Sequence, residues 1–210
     1  MKIAVASGKG GTGKTFVSTN LLNIARIEGK SVTIVDCDAE EPNVSEFING
    51  EKNKIKSIFQ KIPVIDSNLC TFCGNCEEYC NYHAIICIPQ SQTIKVIEDL
   101  CHDCGACIVA CGANAINEKD KLVGIIKTIK IDERATLIES CSEIGVYSPV
   151  PAIKKAIKKA DDNNLIILDS PPGISCPFIA TIEDADYVVL VTEPTPFGLN
   201  DLKLSAETLQ

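Results

Sequence analysis

A parallel α/β sheet interrupted by a small cysteine-rich insert is the fold class this sequence predicts, and three observations carry it. The chain opens with an apolar run, a glycine-rich loop and an amphipathic stretch, which reads as strand, loop and helix. Short aliphatic runs, two of them ending in aspartate, then alternate with helical segments, the pattern of a parallel sheet with right-handed crossovers. Between Cys70 and Cys111 one cysteine pattern is printed twice, and it breaks that alternation.

Lys2 to Ala6 is the first strand. Thr15 to Ile27 is the first helix, with Phe16, Leu21, Leu22 and Ala25 as its apolar positions and Gly29 closing it. Ser31 to Val35 is a second buried strand that ends at Asp36 and Asp38. Lys52 to Lys61 is polar and basic and reads as a linker, from which Ile62 to Asp66 leads into the cysteine segment. Within that segment, Ala84–Ile88 and Thr93–Ile97 flank Pro89-Gln90-Ser91-Gln92 as a hairpin. Lys121 to Glu139 reads as one or two strands and Pro151 to Ala160 as a basic helix. Leu165–Leu168, ending at Asp169, and Asp186–Thr192 complete the strands, and a last helix starts near Leu199. The expected organisation is residues 1–61 and 119–210 as one discontinuous domain and 62–118 as the insert.

At 210 residues, with 45% hydrophobic and 23% charged residues, the chain can form one ordinary core and a small extra module. The longest aliphatic runs are far too short to span a bilayer, and the N-terminal run is too short for a signal segment. A cytoplasmic protein is expected. A net charge of −8 argues against a nucleic-acid partner. Acids gather in the insert, where Asp66, Glu77, Glu78, Glu98, Asp99, Asp103 and Glu118 face Lys95 alone, so a redox partner docking there would present Lys or Arg.

Gly8-Lys9-Gly10-Gly11-Thr12-Gly13-Lys14-Thr15 satisfies G-x-x-x-x-G-K-T between a strand and a helix, the context of a phosphate-binding loop. Glycines let backbone N–H groups curl round phosphates, and the helix N-terminus adds a favourable dipole. Lys14 reaches the β and γ phosphates, and Thr15 offers its hydroxyl to Mg²⁺.

The cysteines are Cys70, Cys73, Cys76 and Cys80, and then, 31 residues on, Cys101, Cys104, Cys107 and Cys111. C-x2-C-x2-C-x3-C in duplicate is how one polypeptide holds two cubane iron–sulfur clusters. Leu69 and Leu100, Gly74 and Gly105, and Ala84-Ile85 and Ala115-Ile116 match at the same offset, which makes the segment a duplicated half-domain. Zinc, the rival metal, uses C-x2-C pairs rather than two runs of four. Of the other cysteines, Cys37 and Cys87 read as core thiols and Cys141 as a strand or turn residue. His83 and His102 read as solvent-facing.

With its second lysine, Lys9, the loop resembles the deviant Walker A of the MinD, ParA and nitrogenase iron protein superfamily. That likeness implies a P-loop NTPase domain, with Lys9 reaching in trans across a nucleotide-bound homodimer. Asp36-Cys37-Asp38-Ala39-Glu40-Glu41-Pro42-Asn43 resembles the superfamily's first switch, and Asp169-Ser170-Pro171-Pro172-Gly173 its Walker B and second switch. The resemblance implies that Asp38 positions the attacking water and that Thr15, Asp38 and Asp169 serve Mg²⁺. It makes Lys9, Lys14, Asp38 and Asp169 the catalytic set. The cysteine segment resembles a bacterial-type two-[4Fe-4S] ferredoxin, an α+β module in which each fourth cysteine ligates the other cluster. One cluster would then take Cys70, Cys73, Cys76 and Cys111, the other Cys80, Cys101, Cys104 and Cys107. Asn81 and Gly112 stand where such ferredoxins carry proline. Cys176, seven residues past Asp169, resembles a dimer-bridging cluster ligand of the nitrogenase iron protein, but Tyr147-Ser148 stands where its upstream companion is expected.

The resemblance as a whole is to P-loop ATPases of this superfamily with an inserted ferredoxin. It implies ATP, Mg²⁺ and two [4Fe-4S] clusters, with ATP-gated electron transfer to or from a protein partner. Two alternatives stand beside it: cluster or metal delivery to an apo-protein, and an electron carrier whose nucleotide only stabilises a dimer. Family members continue beyond the last helix with the segment that grips the base, so either a fragment or a shorter sheet is expected.

Overall fold

The computed structural model describes residues 1–160 and 164–209, except for the side chains of 52 and 53. The chain divides into two units. One comprises Met1–Ile58, Val123–Ile144 and the residues from Ser148 onward; the other comprises Phe59–Leu122 and Gly145–Tyr147.

The first unit is built on a parallel sheet. Strands β1 (Lys2–Ala6), β2 (Val32–Asp36), β7 (Ala135–Ser142), β8 (Leu165–Asp169) and β9 (Tyr187–Leu190) lie parallel in the order β7-β2-β8-β1-β9. These strands read as unbroken aliphatic runs because helices cover both faces of such a sheet, and β2 is buried at every position. Helix α1 (Lys14–Ile27) lays Leu22 and Ala25 onto Val5, Ile34 and Ile167 in the main core. Each fully buried Leu or Ile there contributes about 1.5–3 kcal/mol. Helices α5 (Val150–Lys159), α6 (Cys176–Ile182) and α7 (Pro196–Thr208) complete the unit with the four-residue α2 (Val44–Phe47). The last helix starts three residues before Leu199, at Pro196, where Thr195 caps it by accepting the Gly198 N–H. Helix α6 carries no strong periodicity in so short a run and was not legible beforehand.

One expectation needs correction. Lys52–Lys61 is not a linker. It lies within strand β3 (Glu51–Ile65), at the edge of the seven-stranded sheet β3-β6-β7-β2-β8-β1-β9. Exposed lysines are what protects an edge strand from pairing with other chains, so its basic composition mimics a linker. The Lys121–Glu139 segment resolves into two antiparallel strands, the longer β6 (Ile116–Lys130) and β7, which makes the sheet mixed.

In the second unit, β4 (Ile85–Ile88) and β5 (Thr93–Val96) form the expected antiparallel hairpin. The duplication read from the cysteines is also present in the backbone. Left-handed residues recur as Phe72 and Asp103, Gly74 and Gly105, His83 and Asn114, each pair 31 apart. Gly74 and Gly105 cap the short helices α3 (Asn75–Glu78) and α4 (Ala106–Ala110). Among the described residues its core clusters on Cys76, Ile85 and Ile116, edged by residues such as Ile65, Ile94 and Ile108, with Ile62, Ala84, Cys87 and Ala115 also buried. A unit this small normally needs a disulfide or metal staple. Its acids are also less naked than their local sequence implies, since Lys119 pairs with Glu98 at 2.6 Å and Lys121 with Asp99 at 2.7 Å. No helix among the described residues is long and apolar enough to cross a membrane.

Candidate functional site

The carboxyl ends of β1, β2 and β8 lie side by side, the position at which open α/β sheets present ligand sites. Val5 is in register with Asp169, and Asp169 with Asp36. The glycine loop leaves β1 here and returns into α1 through Gly13, whose φ of 93° only glycine adopts without strain. Gly8 is glycine for a different reason: a Cβ there would sit 2.7 Å from the Asp201 carbonyl oxygen on α7.

Thr15 and Asp169, 154 residues apart, meet at 2.7 Å, the Thr15 hydroxyl donating to Asp169 Oδ2. The Ser18 hydroxyl donates to Asp169 Oδ1, also at 2.7 Å. Lys14 is buried with its Nζ donating to Ser7 Oγ at 3.0 Å. Burial draws the Lys14 ammonium below its ordinary range, opposed by Asp169 and Asp38. Burial likewise pushes Asp169 up, against its hydrogen bonds from Ser18 and Thr15.

Asp36 is fully buried and acts within the switch loop. Its Oδ1 accepts the Asp38 N–H at 3.0 Å, and its Oδ2 accepts those of Asn43 at 2.9 Å and Val44 at 3.0 Å. Burial and then the adjacent Asp169 charge raise it to about 7, against those three donors. Asp38, half-buried, accepts the Glu41 N–H at 3.3 Å and is raised by burial first.

Gly10, Gly11, Gly13, Lys14, Thr15, Asp38 and Asp169 line one open cleft of about 940 Å³, with Phe16, Asn43 and Phe47 at its walls. Thr12 places a buried hydroxyl that has no hydrogen-bond partner among the described residues. Lys9 is not in that lining; it pairs with Glu193, which also accepts the Thr195 hydroxyl at 3.2 Å. Ser18 and Glu193 belong to no motif. Ser18 was open to detection, because it lies four residues after Lys14 on the same face of α1.

The eight paired cysteines line two cavities of the second unit. Cys70, Cys73, Cys76 and Cys111 share one. Cys80, Cys101, Cys104 and Cys107 share the other. Backbone N–H groups point at the sulfurs at matching places in the repeat, Ala84 to Cys80 and Ala115 to Cys111, both at 3.3 Å. Among the described residues, no three His, Cys, Asp or Glu side chains converge on a single-ion position. Cys37 and Cys87 are buried, and Cys141 is half-buried in β7. Cys176 is exposed as the first residue of α6. His83 and His102 are both exposed.

Residues 3–208 match the CobQ/CobB/MinD/ParA nucleotide binding domain. The chain belongs to that family. An uncharacterized protein of Methanocaldococcus jannaschii is 33% identical over 207 residues, covering 97% of this chain and 73% of its own. An iron–sulfur cluster carrier protein of Pyrococcus abyssi is 24% identical over 204 residues, 90% of this chain and 62% of its own. The cell division ATPase MinD of Pyrococcus furiosus shares the fold at a TM-score of 0.52 and 20% identity; 99% of this chain covers 65% of that one, under two thirds of its length. The MinD/ParA-type nucleotide-binding domain accounts for the loop, the parallel sheet and the strand-end acids. The iron–sulfur carriers are distant relatives of it.

Proposed function

We propose that this MinD/ParA-type protein binds and hydrolyses ATP with Mg²⁺ and uses the nucleotide to gate electron transfer, through two [4Fe-4S] clusters, to or from a protein partner. The observation that carries this reading is the pairing of a phosphate-loop cleft with two four-cysteine cavities on one chain.

The donor sets fit the groups. The cleft offers the Thr15 hydroxyl and the Asp38 and Asp169 carboxylates, hard oxygens suited to Mg²⁺. The ion would neutralise phosphate charge. The unpartnered Thr12 hydroxyl and the loop N–H groups would cradle the phosphates. Lys14 would leave Ser7 for the β and γ oxygens, and Asp38, tethered by Asp36, would orient the attacking water. Lys9, outside the cleft lining, is left to serve the phosphates of a second copy in a homodimer.

Each cavity sets three cysteines of one run beside the fourth of the other, and the thin core around them suits a unit stapled by its cofactor. The clusters would supply one-electron redox chemistry. The protein's part is to hold thiolates, donate N–H groups to sulfur and exclude water. Gating requires that ATP bind the open and closed forms with different affinity.

A second reading, cluster delivery to an apo-protein, is favoured by the likeness to the Pyrococcus abyssi iron–sulfur cluster carrier. Anaerobic reconstitution followed by ATPase assays separates the two. About eight irons per chain and an ATPase rate that changes on cluster reduction support gated transfer. Equal rates in both redox states favour delivery, and zinc in place of iron removes both.

A further inference from the structure

The two cysteine cavities are related by the 31-residue repeat, yet their mouths are not equivalent. Beside Cys80 and Cys101, Tyr82 and His102 stack with ring centroids 3.7 Å apart and planes 9° from parallel, and both rings line that cavity. The positions related by the repeat are Ala113 and Thr71, and these line the other cavity. A stacked aromatic pair at one cavity therefore corresponds to two small residues at the other.

Charge and hydrogen bonding differ in the same sense. Lys61, Asp103 and Glu118 line the cavity beside the stack, and Lys61 is already paired with Asp120 at 2.9 Å. The other cavity has no charged side chain in its described lining. There the Thr71 hydroxyl donates to Cys73. The backbone donors do not differ: the Phe72 and Ala115 N–H groups reach Cys70 and Cys111 as those of Asp103 and Ala84 reach Cys101 and Cys80.

These differences bear on where an electron rests. Reducing a cluster adds one negative charge, which a cavity edged by carboxylates disfavours and donors to sulfur favour. Building on the proposed cluster assignment, we infer that the cluster held by Cys70, Cys73, Cys76 and Cys111 takes the first electron, while Asp103, Glu118 and the Tyr82–His102 stack keep the other at lower potential. The chain is thus a directional pair of electron sites. An electron that enters at the cluster beside the Tyr82–His102 stack passes downhill to the one held by Cys70, Cys73, Cys76 and Cys111, oxidising the former by one electron and reducing the latter by one.

The test is a redox titration of the anaerobically reconstituted full chain with dithionite and mediators, followed by EPR, with iron assayed on each sample. Two one-electron steps are expected, the electron favouring the first site at least tenfold, about 59 mV for a one-electron couple. Tyr82→Ala with His102→Thr should move the second step towards the first and leave the first in place. Thr71→Val should lower the first step alone, and Tyr82→Phe, which keeps the stack, should move neither. A single unresolved step in the unsubstituted chain, or a double variant that shifts the first step, overturns the inference with the cluster assignment intact. Far fewer than about eight irons in the unsubstituted chain overturns the assignment itself and the inference with it.

Discussion

Lys14 and Asp169 act on the same few cubic ångströms in different ways, and single substitutions distinguish them. Lys14→Ala removes a buried cation that neighbours Asp38 and Asp169. It should weaken ATP binding by about 3 kcal/mol, roughly two orders of magnitude in Kd, measurable by calorimetry. Ser18→Ala leaves the phosphate loop intact but strips a 2.7 Å hydrogen bond from a buried carboxylate. A cost of about 1–3 kcal/mol in urea unfolding is expected, with a smaller effect on nucleotide affinity. The aspartates of this site were legible as strand ends, whereas their division of labour was not. Asp36 spends its oxygens on the Asp38, Asn43 and Val44 N–H groups and so sets the position of Asp38.

The turn between β6 and β7 shows how an element depends on one side chain. Asp132 accepts the Arg134 and Ala135 N–H groups at 2.8 Å each and pairs with Arg26 of α1 at 2.6 Å. The two backbone donors and Arg26 hold its carboxyl below the ordinary range, the Arg134 N–H first. A depressed folded-state pKa gives stability that is present above the unfolded value, about 4, and lost as pH falls through the folded value. Asp132→Asn should therefore cost about 1 kcal/mol at pH 7, the exposed ion pair contributing little, and almost nothing near pH 2. Urea titrations at the two pH values check this. Gly8→Ala tests the packing of the loop against α7. Its Cβ would meet backbone 2.7 Å away, so a loss of about 1–3 kcal/mol is expected even without nucleotide. At this scale the strands with continuous aliphatic runs were readable, because burial on both faces leaves a compositional mark. Strand β3 was not, because an edge strand rich in exposed lysine carries the composition of a loop.

For the chain as a whole, the crossed arrangement of the cysteines makes a prediction that neither run makes alone. Cys70→Ser with Cys111→Ser touches a single cavity and should leave about four irons per chain, while Cys70→Ser with Cys80→Ser touches both and should lower iron further. Equal iron in the two double variants would reject crossed ligation. The sequence by itself determined the chemistry on offer. A phosphate loop, eight thiols in duplicate and acids at strand ends are local patterns, and local spacing sets which backbone N–H groups and side chains share a turn. The tertiary structure decided which distant groups meet: Thr15 with Asp169, Lys9 with Glu193 and each fourth cysteine with the opposite run. Those meetings follow from sheet register, as where Ala6 pairs with Leu190 and brings the segments bearing Lys9 and Glu193 together. Burial then sets the charge state of what meets, which is why Asp36, an ordinary aspartate by composition, titrates at about 7.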